Sequence, residues 1–189
     1  MRKRASITVL LQAVTGLMAL ALIGVFATAA ENAFTRRVAA EHIREIVGIS
    51  RDLFMAMQTI RVERGTGNTG IETATPIDRE TEREIAALRV RSNAALDSAL
   101  AQIAQMGIPS SDKDVAQILD ARATFDRIRS AVDAALQQPK DHRLPGLGGL
   151  WVSGGGRLVD SIDAMSERLS GEINQADPFI AEMMKIKQV

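Results

Sequence analysis

Residues 7–30 read ITVLLQAVTGLMALALIGVFATAA, an apolar run without a single charge, directly preceded by Arg2, Lys3 and Arg4. A helix rises about 1.5 Å per residue, so a run of this length crosses a hydrocarbon layer roughly 30 Å thick. The basic cluster before it keeps the N-terminus in the cytoplasm and exports the rest of the chain. Arg36 and Arg37, just past the exit, oppose that orientation, and Glu31 beside them counts for little. A cleaved signal peptide is the competing reading, because Ala27-Thr28-Ala29 fits a small-residue cleavage site. Signal h-regions are shorter, about 7–15 residues, which favours an uncleaved anchor. Either way, the remainder of the chain lies outside the cytoplasm, tethered in the first case to the inner membrane.

Composition narrows the exported part. Formal net charge is zero over 189 residues, so no strongly basic surface points to nucleic acid. Aromatics are 3% and tyrosine is absent, which argues against base-stacking platforms and aromatic cages. Cysteine is absent too; disulfides, thiolate chemistry and cysteine-based zinc sites are thereby excluded. Small and aliphatic side chains dominate, as they do in helix bundles.

Beyond the run, Ile43, Ile46, Leu53, Met57 and Ile60 recur at steps of three and four with Ser50 in one polar slot, the pattern of a bundle or coiled-coil seam. No breaker separates this seam from the anchor, so one long rod is expected to end near Gly65, where Gly65-Thr66-Gly67-Asn68-Thr69-Gly70 interrupts it. Thr75 followed by Pro76 predicts the cap and first position of a second helix, which carries Ile85, Leu88, Leu96, Ala99 and Ile103 and stops at Gly107 before Pro109. Ser111 with Asp114 resembles a capping box opening a third helix through Val115, Ile118, Phe125, Ile128, Val132 and Leu136, halted at Pro139. Residues 139–156, rich in proline and glycine and holding the sole tryptophan, Trp151, read as a flexible connection. Helical patterning resumes at Leu158, Ile162, Met165 and Leu169, and Asp177-Pro178 opens another apolar face containing Met183 and Met184. That face carries no stop signal before Val189, so the domain is expected to be incomplete at this end. The fold class expected is all-α: a basic cytoplasmic tail at 1–6, a transmembrane helix at 7–30, and an extracytoplasmic helical bundle, four-helix in form, over 31–189.

Candidate chemistry is sparse. Gly146-Leu147-Gly148-Gly149 lacks the final glycine of a dinucleotide fingerprint, because Trp151 takes its place, and no lysine follows as a P-loop requires. His42 and His142 lie in different segments without metal-ligand spacing. No serine sits in a context that would activate it. No catalytic residue, metal site or cofactor is therefore assigned, and the chain is not read as an enzyme. The charges of 78–84 with Arg89 and Arg91 read as a solvated face, and Met55 and Met57 as core filler.

Arg61-Val62-Glu63-Arg64-Gly65 is the cluster of interest. Arg61 and Arg64 are three apart, so they share a helix face, and two guanidinium forks there suit a small oxyanion. Arg64 also falls on the seam of Met57 and Ile60, which aims it inward. An inward arginine must be paired, by Glu63, by a carboxylate on another helix, or by a ligand. Structural pairing is favoured over a ligand role.

Two stretches carry a family resemblance. Gln58-Thr59-Ile60-Arg61-Val62-Glu63-Arg64-Gly65 resembles the E-R-G segment of nitrate- and nitrite-sensing helical sensor domains. Arg168-Leu169-Ser170-Gly171-Glu172-Ile173, then Ala176-Asp177-Pro178-Phe179-Ile180, resembles the later part of sensor regions in bacterial methyl-accepting chemotaxis receptors. The resemblance implies an extracytoplasmic sensor that binds a small, anionic ligand and passes a helix displacement through the membrane. Arg61 and Arg64 would contact the anion, while Glu63 and Gly65 shape the turn. Receptors of this kind continue into a second membrane helix, a HAMP linker and a methylated signalling coiled coil, none of which occurs in these 189 residues. Membrane lipid and a second copy are the expected partners. The rod seam offers a dimer face, and Gly24 with Thr28 offers close helix packing within the membrane. A helical structural module without a ligand, tethered or secreted, and the sensor region of a histidine kinase remain the alternatives.

Overall fold

The computed structural model describes residues 7–108 and 111–176, and the expected helix after Asp177, with Met183 and Met184, lies outside them. So do the basic tail and Pro109. The described residues are all-helical. Helix α1 spans Ile7–Glu72, α2 Arg79–Met106, α3 Ser111–Leu136 and α4 Leu147–Ala176, with a short 3-10 turn at Lys140–His142. Two compact units divide the chain, Met1–Ile43 and Arg44–Val189.

In the first unit, α1 is long and apolar enough to cross a membrane, and none of its apolar window is buried. Leu17, Leu20 and Phe26 are each about 70% exposed. Thr15 and Thr28 return their hydroxyls to the backbone carbonyls of Leu11 and Val25, which satisfies both polar groups within the helix.

In the second unit the four helices share one core. The seam residues Ile46, Leu53, Met57 and Ile60 are buried in it, with Ile85, Leu96 and Ile103 from α2, Ile118, Phe125 and Val132 from α3, and Leu158, Ile162, Met165 and Leu169 from α4. Met55 departs from its expected place and is exposed.

Local chemistry moves several expected boundaries. The glycine segment 65–70 does not end α1, which runs on to Glu72. Glycine there is a packing residue: a Cβ on Gly67 would lie 2.7 Å from the Trp151 ring, and one on Gly70 would lie 2.9 Å from Leu136 Cδ2. Nor is the stretch around Trp151 a loose connection, since α4 begins at Leu147 and carries Gly148, Gly149, Gly154, Gly155 and Gly156 inside it. A side chain on Gly154 would collide with Ile128, and one on Gly155 would meet Phe125 and Arg64 at 3.2 Å. Each helical glycine costs about 0.5–1 kcal/mol relative to alanine; close approach of α4 to α1 and α3 offsets that cost.

Thr75 and Pro76 do not start α2. The Ile77 amide donates to the Leu136 carbonyl at 3.1 Å, which straps this segment to the end of α3. The cap is Asp78, whose carboxylate accepts from the Thr81 amide at 2.7 Å. Helix α2 ends at Gly107 in the left-handed conformation, φ 60°, where glycine has no steric penalty. The expected capping box at Ser111 is absent. Ser111 donates backwards to the Ile108 carbonyl at 2.8 Å, and the Asp114 carboxylate takes Arg168 of α4 instead.

Arg143, buried just after the 3-10 turn, closes one end of the core. Its guanidinium donates to the carbonyls of Gly70, Ile71, Thr73 and Thr75, and to Ala135 and Gln138. The C-terminal turns of α1 and α3 leave carbonyls without helical partners, and one cation serves both.

Candidate functional site

Glu63 is the one residue of the Arg61–Gly65 cluster that points fully into the core, with no solvent exposure. Its partners come from two other helices. Arg129 of α3 donates Nε to Oε1 at 2.9 Å and Nη2 to Oε2 at 2.5 Å. Arg89 of α2 donates its Nε to Oε1 at 2.7 Å. Around them, Asp126 receives Arg129 Nη1 at 2.8 Å, and Asp133 receives both terminal nitrogens of Arg89 at 2.6 and 2.7 Å. Three carboxylates thus face two guanidinium groups.

An apolar layer continues the junction into α4. The Arg129 guanidinium lies 4.6 Å above the Phe125 ring, and Phe125 packs against Trp151 with centroids 4.9 Å apart. Trp151 is wholly buried, and its indole N–H donates to the Arg64 carbonyl at 2.8 Å. Residues 63 and 64 of α1 are therefore held by side chains from all three other helices.

Electrostatics follow from this geometry. Burial alone would lower the Arg89 pKa, but its hydrogen bonds to Asp133 and Glu63 outweigh that and hold it above the ordinary value. Charge is retained across the physiological range. Among the described residues no buried side-chain nitrogen or oxygen lacks a hydrogen-bond partner. A buried carboxylate met by two arginines balances its desolvation only because the geometry is close and the surrounding lone pairs are filled.

The remaining candidates lie differently. Arg61 is exposed, Arg64 is half-buried, and neither forms an ion pair among the described residues. Arg64 runs along the glycine face of α4, with Nη1 3.5 Å from where a Gly156 Cβ would be. Gly65 is exposed, helical and has open space around its α-carbon. Glu63 pairs with neither neighbouring arginine, so the inward charge of the cluster is the carboxylate. Arg89, expected on a solvated face, is half-buried and central. Sequence reasoning misses Arg129, although it interrupts the apolar stripe of Phe125 and Val132, and a charge in such a stripe needs a buried partner.

No family model, curated protein or solved structure matches the chain.

Proposed function

We propose that this chain is the sensory front end of a chemotaxis-type transmembrane receptor. In this reading residues 1–6 lie in the cytoplasm, residues 7–30 cross the inner membrane, and residues 31–189 form an extracytoplasmic four-helix bundle that takes a small ligand. The observation that supports it is the double role of α1, whose apolar window is entirely unburied and whose later turns bring Glu63 to the arginines of α2 and α3. A ligand that favours one arrangement of the junction biases α1, by no more than its differential affinity for the two arrangements. Arg61 and Arg64, without ion pairs among the described residues, are the groups left to meet an anion.

The partner face of a homodimer is other than the expected seam, because Ile46, Leu53, Met57 and Ile60 are used within the chain. Val47, Phe54, Met55 and Val62 of α1, each about half exposed, supply it.

A helical structural module without a ligand is favoured by one specific observation: the junction is satisfied internally. The coding sequence beyond Val189 separates the two readings. The receptor reading expects a second apolar run and then long charged heptads. A stop codon there in an intact gene supports the structural module.

A further inference from the structure

Arg89 presents two edges, and they are not equivalent. Its Nε edge holds Glu63, which has no solvent exposure, whereas its Nη1/Nη2 edge holds Asp133, whose side chain is 49% exposed. Arg89 and Asp133 both line a cavity of about 340 Å³ between α2, α3 and the strap before α2. Ile77, Ile85 and Leu136 are its apolar lining, and Glu82, an exposed residue, lines it too. We propose that this cavity binds a small aliphatic monocarboxylate, which takes the outer edge of Arg89 in place of Asp133.

The chemistry of the lining sets the class. A guanidinium edge pairs with a carboxylate through two parallel hydrogen bonds, and Asp133 already demonstrates that geometry at 2.6 and 2.7 Å. Being half in water, Asp133 is resolvated on release at lower cost than the wholly buried Glu63 would be. Its release leaves the Nε bond to Glu63 in place, so no buried charge is stranded. An aliphatic tail then covers the wall of Ile77, Ile85 and Leu136, and each methylene it buries is worth about four-fold in affinity. Glu82 in the same lining repels each negative charge a ligand brings, so a dicarboxylate is penalised more than a monocarboxylate. Asp133 acts as a built-in competitor, which sets the affinity of the site without blocking it.

The test is calorimetric titration of sodium butanoate into the full chain in non-ionic micelles, with micelles alone as the blank. Saturable binding is expected, and acetate, two methylenes shorter, should bind about fifteen-fold more weakly. Asp133→Asn removes the competitor and should tighten butanoate about three- to five-fold. Arg89→Lys, which loses the fork, should abolish binding. Because that variant also disturbs Glu63, the decision rests on Asp133→Asn, whose side chain is half exposed. The proposal is overturned if butanoate fails to bind both the parent and Asp133→Asn, or if Asp133→Asn weakens it. It is equally overturned if n-butylammonium binds instead and Asp133→Asn removes that binding, since Asp133 and Glu82 would then form a cation site. Binding at Arg89 does not depend on the receptor reading, which the coding sequence and membrane topology test separately.

Discussion

Arg129 closes on Glu63 through two near-parallel hydrogen bonds, Nε to Oε1 at 2.9 Å and Nη2 to Oε2 at 2.5 Å, across 66 residues of chain. The pair joins α1 to α3 at a depth where neither carboxylate nor guanidinium can turn to water. Register between these helices is thereby specified by charge as well as by shape: sliding α1 by one turn would leave Glu63 facing apolar side chains.

Removing the carboxylate charge should therefore be costly. Glu63→Gln keeps the volume but sets an amide N–H against the donors of Arg129 and Arg89 and leaves them only Asp126 and Asp133; a buried pair broken on one side loses about 3–5 kcal/mol. Urea unfolding of the full chain in micelles, followed by Trp151 fluorescence, reads the loss directly. Arg61→Ala, at an exposed position, should stay within about 0.5 kcal/mol. Equal losses for the two variants would contradict the assignment.

Neighbouring glycines should respond with opposite signs. A Cβ on Gly65 would have nothing within 4 Å, so Gly65→Ala should stabilise by about 0.5–1 kcal/mol through helix propensity. A Cβ on Gly67 would lie 2.7–2.9 Å from the Trp151 ring, so Gly67→Ala should destabilise by about 1–3 kcal/mol as an overpacked contact. The same unfolding measurement decides both. If Gly65→Ala destabilised the protein as much as Gly67→Ala, the segment would be a turn and not a helix.

Arg143 should not tolerate lysine. A lysine ammonium has three donors, too few for the carbonyls of Gly70, Ile71, Thr73, Thr75, Ala135 and Gln138. Each buried carbonyl left unpaired costs about 1–3 kcal/mol, so Arg143→Lys should lower the unfolding midpoint well beyond any exposed Arg→Lys change. Hydrogen exchange should rise first at the C-terminal turns of α1 and α3.

Stability should fall in acid. At Asp52 burial raises the pKa, but hydrogen bonds from Ser98, Arg51 and Gln102 outweigh it and hold the carboxyl below its ordinary value. The Thr81 backbone amide does the same for Asp78, and Lys140 for Glu72. A depressed carboxyl stabilises the fold above the unfolded pKa of about 4 and loses that contribution as pH falls through the lower folded value. Unfolding midpoints should therefore be level from neutrality to about pH 5 and drop below about pH 4. Asp52→Asn should flatten part of that acid limb, and an unchanged limb would show that Asp52 is not among its causes.

Much of this architecture is legible in the residues. Alternating three- and four-residue steps at Ile46, Leu53, Met57 and Ile60 mark the buried stripe of α1, and Gly107 marks the end of α2, because periodicity and a left-handed cap are local properties. Glycine is misleading at 65–70 and 148–156. Its local preference is to break a helix, whereas its value at Gly67, Gly154 and Gly155 lies in contacts with Trp151, Ile128 and Phe125, which no local pattern reveals. Glu63 stands out with its neighbours, but its role does not, since Arg89 and Arg129 lie 26 and 66 residues away. Arg129 between Phe125 and Val132 is the available signal. A charge inside an apolar stripe implies a partner on another helix.

The central claim is that α1 is anchored in lipid while later turns of the same helix carry Glu63. Alkaline carbonate washing of membranes from cells making the full chain, with N-terminal sequencing of the recovered protein, tests it most directly. The account predicts protein retained in the pellet with residues 7–30 intact. Soluble protein beginning at about Ala30 would contradict it.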